Sequence, residues 1–131
     1  MADVNFEEMM RTEVETILRT LDAEASCFIY TLPPDLEDAP MVGVVFPSSG
    51  IVGTDGSKTI TLQVRVRSRD EASGKQGIEA VYEALKDCAF EPGINNQFRV
   101  ICTATSTPSF MGLDDAGQPV FGCLFELVSV Y

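Results

Sequence analysis

The residues most able to do chemistry are the adjacent carboxylates Asp114 and Asp115. Neighbouring carboxylates can bind a metal ion or divide acid and base roles between them. They lie in a turn-like segment before Gly117, where aspartate is favoured because its side chain bonds to nearby backbone amides. A calcium loop is excluded, since Ala116 and Gln118 stand where oxygen ligands would have to fall. We interpret the pair as turn residues, with a metal or acid–base role as the alternative.

The other features that could support catalysis are weak. Residues 50–58 are rich in glycine but end in Gly-Ser-Lys, which reverses the Gly-Lys-Ser order of phosphate-binding loops. The sequence contains no histidine, so the commonest general base and metal ligand is absent. We therefore expect no catalytic site, no cofactor and no metal.

Four cysteines are scattered along the chain without a C-x-x-C pair: Cys27, Cys88, Cys102 and Cys123. Each lies in an apolar stretch, where cysteine packs as a small hydrophobic residue. We predict four buried, reduced thiols. A framework of two disulfides and a reactive cysteine are the alternatives.

The net charge limits the partners of the protein. Twenty acidic residues against 9 basic ones give −11 at pH 7, and such a surface repels the phosphate backbone of nucleic acids. We expect no direct nucleic-acid binding, although an acidic wall past which DNA slides would fit the same charge. Residues 1–8 show no targeting pattern, and the longest clean apolar run, 41–46, is far below the ~20 residues of a membrane helix. We expect a cytosolic chain with no membrane partner.

Hydrophobic periodicity predicts two helices. Apolar residues recur at steps of three and four from residue 6 to residue 21, and Asn5 with Glu8 resembles a capping box. A second apolar face runs from Ala72 to Leu85, with Ser68 or Asp70 as the N-cap. Gly74 and Gly77 weaken its first turns, so we expect this helix to start late.

Alternating and β-branched segments predict five strands, at residues 27–32, 41–46, 58–68, 98–104 and 120–131. Segment 58–68 is the clearest, because its apolar residues point one way and its polar residues the other, giving one core face and one wet face. Residues 47–57 are predicted to form a mobile, hairpin-like excursion and residues 108–119 a turn-rich connection. The predicted fold is one α+β domain over residues 1–131, an antiparallel β-sheet with two main helices packed on one face.

The carboxy-terminal half resembles a known family. Strand 60–67, the helix carrying Ile78 and Leu85, and the segment 110–119 leading into Phe121 and Phe125-Glu126 are similar to the tail terminator proteins of long-tailed bacteriophages, which include relatives labelled minor capsid proteins. In that family a Gly-x-Asp-acid-x-Gly turn precedes a last strand with an aromatic–acid pair. The match covers residues 55–131.

The resemblance implies a structural virion protein with no enzymatic activity. Its subunits would form a homo-oligomer, a hexameric ring at the head-proximal end of the tail tube, which ends tube polymerisation and presents the tail to the head. The implied partners are the tail tube protein and the head–tail connector or neck protein. Two other functions stay open: another ring-forming neck, head-completion or scaffolding protein, and a small enzyme or ligand-binding α+β domain.

Three sets of residues are predicted to form interfaces with a neighbouring subunit or the tube: Arg65 and Arg67; Ser48, Ile51, Val52 and Thr54; Phe110, Met111 and Leu113. The arginines lie on the polar face of a strand in a chain with few basic residues, and a simple solvated face is their alternative. The apolar set suggests an interface because exposed apolar turns often mark one, with burial in the protein's own core as the alternative.

Overall fold

The fold is built on two long antiparallel strands. The structure, a computed structural model, describes residues 6–31, 40–48, 51–52, 58–90 and 99–130. The elements run in the order α1 (Phe6–Arg19), β1 (Ser26–Ile29), β2 (Met41–Pro47), β3 (Ile51–Val52), β4 (Lys58–Ser68), α2 (Glu71–Leu85), β5 (Asp87–Phe90), β6 (Arg99–Ala104), β7 (Ser109–Leu113) and β8 (Pro119–Val130). β4 and β8 pair from Lys58 opposite Ser129 to Arg67 opposite Val120.

The described strands form a single sheet in the order β1-β2-β4-β8-β6-β5, with β3 beside β4 and β7 beside β8. β3 follows β2 along the same side of β4, and β7 follows β6 along the same side of β8. The pairs are antiparallel except β1 with β2, which is parallel. A parallel pair needs a long connection instead of a hairpin, and residues 30–40 separate these two strands. The predicted α+β class is confirmed, with this one parallel exception.

Both helices pack on the same face of the sheet and close the core. α1 lies over β1 and β2, while α2 lies over β4 and β8 and also touches α1. The predicted core residues of β4 are buried, as are Met10, Val14 and Leu18 of α1 and Ile78, Val81 and Leu85 of α2. The core therefore fills the space between one helical layer and one sheet face.

α2 begins early, so the predicted late start is wrong. Asp70 is the N-cap, and its carboxylate accepts a hydrogen bond from the Ser73 amide at 2.8 Å. Gly74 is buried, and a Cβ there would lie 2.7 Å from Ser68 Oγ and 2.9 Å from the Phe121 ring. The low helix propensity of glycine is outweighed because its small size lets α2 approach the sheet closely.

Several predicted boundaries differ from the structure. α1 ends at Arg19, which leaves Leu21, predicted to lie on the apolar face, 40% exposed in the turn before β1. β1 ends at Ile29 because Tyr30 adopts φ +65°, a left-handed conformation that leaves the strand direction. β5 and β7 were not predicted as strands. Asn5 and Phe98 lie outside the described residues.

No helix in the described ranges is both long and apolar enough to span a membrane.

Candidate functional site

The polar face of β4 is less exposed than its pattern predicts. Arg65 is half-buried; its Nε donates to Gln63 Oε1 at 3.1 Å, and its guanidinium lies 5.0 Å from the centre of the Phe46 ring. Arg65 and Phe46, together with Tyr30 and Val44, line a groove of about 170 Å³ on the sheet face away from the helices. Among the described residues no carboxylate pairs with Arg65.

Arg67 is buried, so the expectation of a uniformly wet strand face is wrong at this end of β4. Only 6% of Arg67 is exposed, and its Nη1 lies 3.5 Å from Asp114 Oδ2. The other carboxylate oxygen, Asp114 Oδ1, accepts the backbone amides of Ala116 at 3.0 Å and Gln118 at 2.8 Å. Asp114 thus closes the β7–β8 turn and holds Arg67 at the same time, which confirms the turn interpretation of this aspartate.

The segment 48–54 is described only in part. The Ser48 amide donates to Thr61 O at 2.8 Å, and Ser48 Oγ accepts from the Thr61 amide at 2.9 Å, so this exposed serine extends the pairing of β2 with β4. Ile51 pairs with Thr59 and Val52 with Lys58, which agrees with a hairpin-like excursion. Thr54 lies outside the described residues. An interface role for these four residues stays a prediction.

The three apolar residues of the predicted connection lie on a strand, β7, instead of a turn. Phe110, Met111 and Leu113 are 52%, 43% and 63% exposed. The Phe110 ring packs edge-on against Phe121, with 5.4 Å between ring centres, and Met111 lies so close over Gly122 that a Cβ there would clash with its sulfur. Phe110 thus packs against the edge of the core, whereas Met111 lies over Gly122, which pairs with Arg65 on the open sheet face. None of the three is buried in the protein's own core, so large exposed apolar side chains remain.

β7 also borders a cleft. The cleft has a volume of about 590 Å³ and lies between β7 and the first turns of α2; its lining residues are Glu71, Ala72, Lys75, Phe110 and Phe121. Sequence reasoning missed Ala72 and Lys75 as surface residues of interest, because the packing of α2 brings them to β7. The Phe110 to Leu113 run before a glycine-containing turn was a hairpin signal that could have revealed β7.

Possible metal ligands and the cysteines are the other reactive groups of the described residues. No cluster of three or more metal-ligating side chains occurs among them, and the four cysteines are free. Burial raises the pKa of Cys27 and of Cys102 to about 12, which holds both thiols protonated at neutral pH. Cys88 lies opposite Cys102 in the β5–β6 pair and is half-buried, and burial raises its pKa as well.

The structure thus places those predicted residues that it describes in three regions. Arg65 and Arg67 lie on the open sheet face, while Phe110, Met111 and Leu113 lie on β7, on the far side of β8 from β4. Ser48 and β3 lie on the other side of β4, toward its amino-terminal end. The first two regions are linked by Asp114 of the β7–β8 turn, which contacts Arg67.

Comparison with known proteins agrees with the resemblance in the sequence. A family model described as "Bacteriophage tail terminator protein" matches residues 9–131, from α1 to the end of the chain. No curated protein matches. The family model spans nearly the whole chain, so α2, every described strand and all of α1 except its first three residues fall within the match. The chain therefore belongs to the bacteriophage tail terminator family and is a viral structural protein.

Proposed function

We propose that the protein forms a ring of six subunits at the head-proximal end of the phage tail tube. There it ends tube polymerisation and provides the surface to which the head is joined, so its partners are the tail tube protein and a connector or neck protein. The observation that carries the proposal is the family match over residues 9–131. A head-to-tail contact closes into a ring of fixed order when its rotation permits, and such a ring matches the end of a tube of the same symmetry.

The exposed apolar residues of β7 support an assembly role. Phe110, Met111 and Leu113 occupy one short strand that pairs with β8 on one side, and no described strand pairs with its other side. Soluble monomers usually protect such an edge with lysine, proline or a covering loop, because an exposed apolar edge pairs with other chains. β7 contains neither lysine nor proline, so we expect another protein surface to cover this edge in the assembled particle.

The charge and the carboxylates fit a structural role without a catalytic step. A net charge of −11 keeps DNA from adhering to a ring through which the genome passes. The most conspicuous carboxylate, Asp114, is used in the turn and in the contact with Arg67.

Deletion of the gene from the phage tests the proposal. We expect DNA-filled heads separated from tails, and tails of abnormal length, in negative-stain electron microscopy of the lysate. Adding the purified protein to that lysate should restore joined particles.

The phenotype also separates the alternatives. Tails of normal length combined with heads that lose their DNA would assign the protein to the neck or head side. Normal virions from the deletion strain would contradict the proposal outright.

A further inference from the structure

Two different surfaces lie at opposite edges of the sheet, one at β7 and one at the turn between α1 and β1. Paired residues form one continuous row across five strands: Ser26 of β1, Val42 of β2, Arg67 of β4, Val120 of β8 and Gly112 of β7. At about 4.8 Å per strand the row is about 19 Å long. β7 lies at one end of this row, and the turn between α1 and β1 leads directly into the other end.

The β7 end of the row is apolar and carries a cation. Phe110, Phe121 and Ala72 form the apolar lining of the cleft, and Lys75 and the carboxylate-bearing Glu71 complete it. Among the described residues Lys75 has no ion-pair partner, although the chain holds more than twice as many acidic as basic residues. The cleft thus suits an apolar side chain with a carboxylate next to it.

The opposite end of the row presents that combination. Leu21 is 40% exposed in the α1–β1 turn and is followed by Asp22 and Glu24. The turn is held rigidly: Asp22 Oδ1 accepts the Glu24 amide at 2.9 Å, and Arg19 Nε donates to Ala25 O at 2.9 Å. Glu24 is exposed and pairs with no cation of the described residues. A preformed turn loses little entropy when it docks.

We propose that the α1–β1 turn of one subunit docks into the β7–α2 cleft of the next, with Leu21 against Phe110 and Glu24 beside Lys75. This inference rests on the proposed ring. The two surfaces differ and lie at opposite edges, so each copy uses both, and the contact is head-to-tail, the type that closes into rings. The docked turn also covers Phe110, one of the exposed apolar residues of β7.

The docking is tested with charge-reversal variants of the gene, each supplied to the phage strain from which the gene has been deleted. Lys75→Glu and Glu24→Lys each place like charges opposite one another, and each should reduce the number of joined particles by about tenfold or more. The double variant restores opposite charges and should recover most of the loss. Lys86→Glu makes the same charge change at the other end of α2 and should join particles like the wild type.

Apolar variants give an independent check. Leu21→Ser should reduce joining as strongly as Phe110→Ser, whereas Ile101→Ser, a residue 37% exposed on the open sheet face, should not. Circular dichroism and thermal unfolding of each purified variant show whether it folds. These positions are exposed, so folding should be retained.

The outcomes distinguish the two proposals. If the wild-type gene restores joining and the single charge variants restore it equally well, or the double variant recovers nothing, the docking contact is wrong while the ring proposal stands. If the deletion strain joins heads and tails without the protein, the proposed function itself fails.

Discussion

Removal of the Asp114 carboxylate should destabilise the folded subunit more than any other change to the β7–β8 turn. Asp114→Ala deletes the acceptor of two backbone hydrogen bonds, each worth about 1 kcal/mol. It also removes the carboxylate next to the buried Arg67 guanidinium. Breaking a fully buried pair costs about 3–5 kcal/mol, and we take about 2 kcal/mol because Asp114 is 22% exposed and the pair distance is 3.5 Å.

The expected loss is therefore about 4 kcal/mol, a large part of the roughly 5–15 kcal/mol by which domains are stable. Asp114→Asn keeps an oxygen acceptor for the turn and removes only the charge, so we expect about 2 kcal/mol. Asp115→Ala is the matched control: its side chain is exposed, and the loss should stay within about 0.5 kcal/mol.

Urea unfolding followed by far-ultraviolet circular dichroism measures these differences, provided that the transition is two-state. The order of stability should be wild type and Asp115→Ala, then Asp114→Asn, then Asp114→Ala. The argument fails if Asp114→Ala unfolds at the same urea concentration as Asp115→Ala.

Three further predictions follow from the packing. Gly74→Ala should destabilise the subunit by about 1–2 kcal/mol, whereas Gly77→Ala, where a Cβ would meet Val66 at 3.1 Å and the flexible Met41 side chain at 3.2 Å, should change stability by less than about 1 kcal/mol; thermal unfolding compares them. Alkylation of the native protein should label Cys88 before the other cysteines, and the labelling rate should increase as the pH rises through the elevated pKa of Cys88. The denatured, unreduced protein should take up four alkyl groups, because a disulfide would leave fewer thiols to react. Arg65→Glu should impair head–tail joining with little loss of subunit stability, whereas Arg67→Glu should destabilise the subunit because Arg67 is buried beside Asp114. If the two variants unfold at the same urea concentration, the burial argument is wrong.

The contrast between the two arginines shows where a strand pattern stops being informative. Alternation in β4 correctly predicts that the apolar residues from Ile60 to Val66 face the core, because a strand repeats every two residues whatever surrounds it. It also places Arg65 and Arg67 together on the other face. Only the folded β7–β8 turn, which brings Asp114 over that face, distinguishes the buried arginine from the half-exposed one.

The short strands show the same division. β4 and β8 are long enough for their own side-chain pattern to predict them. β5 and β7 have four and five residues and exist as strands because they pair with β6 and β8. The exposed apolar residues of β7 were recognised in the sequence, but the strand conformation of β5 and of β7 depends on pairing with another strand.

The sequence by itself determined the α+β class, the acidic surface, the turn role of Asp114 and the family resemblance. Each depends on composition, short-range periodicity or a local motif, which a linear chain carries without folding. The tertiary structure alone decided that Arg67 is buried, that Leu21 is exposed beyond the end of α1, and that Lys75 lies beside Phe110. Those facts depend on packing between elements far apart in sequence, and local residue preferences do not encode that packing.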